Sequence, residues 1–320
     1  MHQDRRARYV LALLLFLLVI APIFTGGLRM VVDWLWFRQE GFRVLFTNVL
    51  KSQIALSGLT GVGFILIVGL NLIVAQALSH RYGFRVDGGT VEVSALDRFS
   101  NALHWAIWLG VLLVGYGVSH WGMGHWNEYL LAQNSVPIGH SDPLFGLDLS
   151  FYLFQLPFRW FLFHLALVTS LACLLSAVSL YFIAGGVWVT PRGPQMAPAA
   201  RTHLMVLAAI VMVVVAYRVR LAMYGLMYSH RGVIFGAGYS DVNATLPVLK
   251  ALFYLALLAA LLFLAGVVRG SWKPGIYGII WMVFFGFLGG LVYPELMQRF
   301  IVTPNEIDKE APYIARAIEF

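Results

Sequence analysis

Residues 246–268 read LPVLKALFYLALLAALLFLAGVV, with Lys250 the only charged side chain among them. At a rise of about 1.5 Å per residue, a run of this length crosses the roughly 30 Å hydrocarbon core of a bilayer as one helix. Apolar residues fall on all its faces, so it has no polar side to turn to water. Such a helix lies in lipid or at the centre of a large protein, and the rest of the chain decides between the two.

Composition decides for lipid. Of 320 residues, 60% are hydrophobic and only 12% charged, and the mean hydropathy is +0.79, a balance that a soluble domain of this size could not keep in solution. Comparable apolar runs recur at about residues 9–24, 54–78, 102–119, 158–183, 203–227 and 275–292. Nothing alternates in the manner of a ten-residue barrel strand. The reading is an all-α membrane protein: a bundle of about seven transmembrane helices over residues 1–292, then an exposed extracytoplasmic tail over residues 293–320.

Between the runs lie segments of different character. Arg29 to Phe42 mixes Trp34, Trp36 and Phe37 with Asp33, Arg38 and Glu40, which suits an interfacial helix on the outer face. Asp87-Gly88-Gly89 makes a turn, and Val91 to Phe99 reads as a short surface helix. His120 to Leu149, with Pro137, Asp142-Pro143 and Gly146, is too long for a simple turn. Val189 to Pro194 is a Pro/Gly-rich inner linker, and Ser229 to Thr245 is a glycine-rich outer loop.

The formal net charge of +7 does not point to nucleic acid, because the basic residues stand at the ends of apolar runs and not on one polar face. Arg5, Arg6 and Arg8 abut the first run and set the N-terminus inside and the C-terminus outside, in a plasma (inner) membrane. Ala21-Pro22 is a poor cleavage site, so the first run reads as an uncleaved helix. The single cysteine, Cys173, excludes an internal disulfide.

Arg218 and Arg220 carry charge toward the outer end of the fifth run, where a charge normally faces the bundle interior or water. Two residues turn about 200° around a helix, so the pair cannot share a face. Arg220 lies with Tyr217 and Tyr224, from which it could snorkel, and Arg218 with Ala222 and Gly225. Arg218 is therefore expected to be the buried one, paired with Asp142, Asp148 or Asp241.

His104, His120, His125 and His164 invite a haem, pigment or metal reading, but His120 and His125 are five apart and no Glu-x-x-His occurs, so no cofactor or metal is predicted. Gly286 with Gly290, and Ala256 with Ala260, are small-xxx-small pairs that predict close helix packing. Walker, dinucleotide-binding, nucleophile-elbow and His-Glu-x-x-His patterns do not occur, and no catalytic residue is assigned.

Four separated motifs carry a resemblance. They are Asp33-Trp34-Leu35-Trp36-Phe37; the stretch from Asp142 to Tyr152 with Leu156-Pro157-Phe158; Gly236 to Val242 with Leu246-Pro247; and Pro304-Asn305-Glu306 with Glu310-Ala311-Pro312-Tyr313-Ile314. In this order, over nearly the whole chain, they resemble the large prokaryotic membrane proteins of uncharacterised protein family zero-one-eight-two. The resemblance implies a seven-helix N-terminal half, a large extracytoplasmic domain beginning where this sequence stops, and no established activity.

The function expected first is a membrane anchor or assembly subunit, engaging other membrane protein subunits or a second copy through its outer loops. A transporter or channel with Arg218 near its pathway comes second, motivated also by Gly58, Gly61, Gly63 and Gly69 in the second run. An outer-face enzyme, built where Asp142, Asp148, His230 and Asp241 could converge, comes last.

Overall fold

The computed structural model describes residues 26–80, 93–190, 193–232 and 235–319. The run at 9–24 and the Asp87-Gly88-Gly89 turn lie outside them. Two compact units divide the chain, Met1–Ala55 and Leu56–Phe320.

In the first unit, helix α1 over residues 26–39 ends at Gly41, whose φ of 82° is open to glycine without a Cβ penalty. The Phe42 amide reaches back to the Phe37 carbonyl at 2.8 Å, closing the turn. The Arg38 guanidinium lies 5.3 Å from the Trp34 ring centre, while Leu35 and Trp36 are exposed. Helix α2, Arg43–His80, then starts well before the expected Ile54, since nothing between Gly41 and Ile54 breaks a helix.

The second unit takes α2 from Leu56 onward, then α3 (Val93–Gly124), α4 (Trp126–Gln133), α5 (Leu156–Ile183), a hairpin of β1 (Val187–Thr190) and β2 (Gly193–Met196), α6 (Pro198–Tyr224), α7 (Leu246–Arg269), α8 (Lys273–Phe285), α9 (Tyr293–Met297) and α10 (Glu306–Glu319). Among the described residues six helical stretches are long and apolar enough to cross a membrane: Arg43–Ser79, Ala102–Gly124, Phe151–Ile183, Pro198–Tyr228, Asp241–Arg269 and Lys273–Arg316. They overlap the second to seventh expected runs, the first of them starting well before Ile54 and the last continuing to Arg316. Of the surface helix expected at Val91 to Phe99, residues 93–99 are the start of α3 and residues 91–92 lie outside the described residues; the described ends of the Pro/Gly linker pair as β1 and β2, Val187 with Met196.

Small residues set the helix contacts, because without a water-driven force between apolar helices close van der Waals approach must hold them. A Cβ on Gly61 would stand 2.5 Å from that of Ser119, and one on Gly122 would collide with Thr60, so α2 and α3 are closely apposed. Gly58 and Gly63 face open space. Asn71 donates to the Cys173 carbonyl at 2.9 Å, tying α2 to α5. Ala256, Ala259 and Ala260 are buried against Met205, Ala209, Met212 and Ala216 of α6. On the other side of α7, Gly275 meets Phe263, and a Cβ on Gly278 would lie 3.0 Å from the Ala259 Cα.

The expected Gly286 and Gly290 pair needs correction. Gly286 faces Leu252, but Gly290 has nothing nearby, and Gly289 packs on Val248 instead. The contact stripe runs through Gly275, Gly278, Gly286 and Gly289, alternating steps of three with steps of four or their multiples, which carries it past position 290.

The tail expected after residue 292 is also helical. Gly286–Val292 and Gln298–Val302 are wound as π-helix around α9, Thr303–Asn305 as 3₁₀, and α10 follows. Pro294 and Pro304 sit in the first turn of their segments, where a missing N–H costs nothing.

One device recurs. Phe151–Gln155 and Asp241–Thr245 are π-helical turns, each followed by Leu-Pro at the head of α5 and α7. The proline has no N–H to give a carbonyl four residues back, and the widened turn is closed by Leu156 onto Phe151 and by Leu246 onto Asp241. A buried serine precedes each turn, Ser150 and Ser240, and a positive-φ glycine stands upstream, Gly146 and Gly236.

Candidate functional site

Among the described residues the buried charged side chains are Asp142, Asp241 and Glu310, and all three belong to the loops and helix that gather where α5 and α7 begin and α6 ends. A buried carboxylate is costly unless donors surround it, so the donors reveal what each one holds.

Asp142 organises its own loop. It accepts from the amides of Leu144 (2.8 Å), Phe145 (2.6 Å) and Leu147 (2.8 Å) and from the Tyr152 hydroxyl (2.8 Å). Gly146, with φ of 68°, makes the tight return that brings the Leu147 amide round. Asp148 does the same for the preceding stretch, accepting from the amides of Ile138, Gly139 and Ser150. The Ile138 amide, then the Ser150 hydroxyl and amide, hold its pKa well below the ordinary carboxylate range.

Asp241 pairs with Arg231, Nη1 to Oδ1 at 3.7 Å, and Arg231 also donates to the Thr245 hydroxyl at 3.0 Å. Glu310 comes from α10. Its carboxylate is 1% exposed and takes the Tyr239 amide on both oxygens, at 3.2 and 3.1 Å. Gly238 leaves the room for it, since a Cβ there would stand 3.1 Å from Oε2. Asn243 donates to the Tyr313 hydroxyl at 2.9 Å, and Lys309 lies 5.3 Å over the Tyr239 ring, so the first half of α10 is fastened to the glycine-rich loop.

Beside this cluster is a cavity of about 560 Å³, walled by Leu144, Tyr152, Leu153 and Met227, by Phe235 to Ala237, and by Tyr313 and Arg316 of α10. That volume lies within the roughly 300–1,000 Å³ usual for small-molecule sites.

Comparison with known proteins places the chain. The model of the family described as "Uncharacterised protein family (UPF0182)" matches residues 9–320. The chain belongs to that family. A UPF0182 protein of Salinispora tropica is 33% identical over 99% of this chain, one of Streptomyces coelicolor 34% over 98%, and one of Trichlorobacter lovleyi 34% over 96%. The chain spans only about a third of those relatives' lengths, at 32%, 32% and 35%. No solved structure matches it.

Within this UPF0182 chain the expected pairing of Arg218 does not form. Arg218 is exposed, because the buried stripe of α6 runs through Met212, Ala216, Val219 and Met223, and residue 218 lies about 200° round from Ala216. Asp142, Asp148 and Asp241 are engaged elsewhere, as described. Arg220 donates to the Tyr224 hydroxyl at 3.0 Å. The convergence of Asp142, Asp148, His230 and Asp241 is likewise replaced by separate structural roles, with His230 set edge-on to Phe235.

Of the histidines, His125 stacks on Phe161 and contacts the Trp121 carbonyl at 2.9 Å, and His164 lies against Trp160 and Phe163. His104 is partly buried and His120 exposed. Among the described residues no three His, Cys, Asp or Glu side chains gather closely enough to hold a metal. Glu310 was not singled out by its chemistry in the sequence, though it heads one of the family motifs. In the sequence it is one of three closely spaced acids, with Glu306 and Asp308, and only its place directly before Ala311-Pro312-Tyr313 sets it apart.

Proposed function

We propose that this chain is the membrane anchor and assembly part of a UPF0182 protein: a seven-helix domain of the plasma membrane, N-terminus inside, whose loop cluster on the outer face is a rigid platform for extracytoplasmic partners or a second copy. The reading is carried by the insertion of Glu310 into the Gly238–Tyr239 backbone, which fixes the helix leading out of the bundle against the loops that begin α5 and α7. Loops whose carboxylates are spent on their own backbone have little chemistry to offer a substrate, and much rigidity to offer a partner. In this reading the apolar runs 9–24 and those from Arg43 onward make up the seven crossings.

Two measurements test it. In cells carrying Cys173→Ser, cysteines placed at His140 and Asp308 should react with a membrane-impermeant maleimide added outside, and labelling only after lysis would reverse the orientation. The full chain, taken from native membranes in mild detergent without crosslinking, should run as a defined assembly that Glu310→Ala disperses while the helices stay folded. Recovery of the unaltered protein as a lone monomer would sink the assembly role.

A further inference from the structure

The cavity beside the carboxylate cluster has a composition that narrows its occupant. Its three tyrosine hydroxyls already have partners: Tyr152 donates to Asp142, Tyr228 donates to the Tyr152 carbonyl at 2.8 Å, and Tyr313 accepts from Asn243. A sugar or peptide would therefore find few free polar groups inside, whereas hydrocarbon would lose nothing by entering. The cavity's depth is set by the chain: Tyr152 and Leu153 open one apolar stretch, and Met227 and Tyr228 close another. It sits at the level where two spans end, which for a membrane-spanning bundle is the interface between acyl chains and water. Leu153, 52% exposed, and Phe235, 63% exposed, form an apolar lip on its outside. Arg316 is the wall's one cation; it is exposed, lies 5.6 Å over the Tyr313 ring and pairs with no carboxylate among the described residues.

We propose that this cavity holds the hydrocarbon chain of a membrane amphiphile whose anionic head, a phosphate or carboxylate, lies against Arg316. The site rests on the membrane reading of the chain but not on its role in assembly. The ligand enters sideways past Leu153 and Phe235, and because Tyr313 and Arg316 belong to α10, its binding favours the docked position of that helix.

Native mass spectrometry of the full chain in detergent, with lysophosphatidylglycerol, lysophosphatidylcholine or glycerol phosphate added at equal concentration, reads the proposal directly. Lysophosphatidylglycerol should be retained about threefold to fivefold better than lysophosphatidylcholine, the modest margin an exposed cation can supply. Arg316→Gln should erase that margin. Leu153→Trp, at an exposed position that tolerates bulk, should reduce retention of both lipids more than about tenfold, and Ala237→Phe, at another lining position, should narrow the cavity with the same result. Equal retention of the two lipids that ignores every substitution would overturn the proposal. So would binding of glycerol phosphate as strong as that of the lipids, which would leave an anion site alone. Recovery of the unaltered protein as a lone monomer that still retains lysophosphatidylglycerol over lysophosphatidylcholine would count against the anchor role only.

Discussion

The seam where α7 lies between α6 and α8 and the cluster of loops at the head of α5 and α7 hold backbone against backbone by opposite means. In the seam Ala256, Ala259, Ala260, Gly275 and Gly278 allow approach by having almost no side chain. In the loops Asp142, Asp148, Asp241 and Glu310 do it by reaching into the backbone and collecting its amides or a neighbouring cation. The first arrangement depends on volume; the second depends on carboxylates that collect donors. A membrane protein needs both, because shape is the main device available in hydrocarbon, while at the wet end donors must be satisfied to keep water from loosening irregular loops.

Substitutions that exchange the two logics should separate them. Asp142→Ala strips four donors of one acceptor and should cost on the order of 3 kcal/mol in the loops, seen as rapid proteolysis near Pro143 and a lower melting temperature in detergent; an unchanged cleavage pattern would mean the loop is held by something else. Gly278→Val forces its Cβ toward the Ala259 backbone and should cost about 1–3 kcal/mol, with thermal unfolding shifted and loop proteolysis unaltered. Glu310→Gln keeps an oxygen for Tyr239 but loses the charge, worth about 1 kcal/mol, and hydrogen exchange at Tyr239 should report it.

Acid gives the smallest effect. Folding lowers the Asp148 pKa from its ordinary 3.8, so its contribution is complete above that value and is lost as pH falls toward the folded one. Cleavage near Gly139 should therefore rise below about pH 4, while the seam stays intact; parallel loss of both would erase the distinction.

The seam was legible in the sequence and the cluster only in part, for a physical reason. Helix contacts between apolar spans leave a periodic trace, so Ala256 and Ala260 could be named from spacing alone. Even there, Gly289 displaced Gly290, because alternating steps of three and four accumulate over a long helix. A carboxylate that caps its own backbone leaves no period: Asp142 and Asp241 were named as partners for Arg218, when their donors lay within a few residues of them or, for Asp241, at Arg231. The course beyond residue 292, expected only as an exposed tail, is helical, with Pro294, Pro304 and Pro312 accommodated at segment starts and within α10.

The paired entrances to α5 and α7 carry a last consequence. A positive-φ glycine, a buried serine, one wide turn and Leu-Pro occur in the same order and spacing at residues 146–157 and 236–247. The chain thus owns two copies of one part, with different linings: aromatic at the first, where Tyr152 serves Asp142, and polar at the second, where Asp241 meets Arg231. Interchangeable geometry with unequal furniture lets a single mould serve two neighbours: the first wide turn lines the cavity, and the loop that leads into the second holds α10 through Glu310.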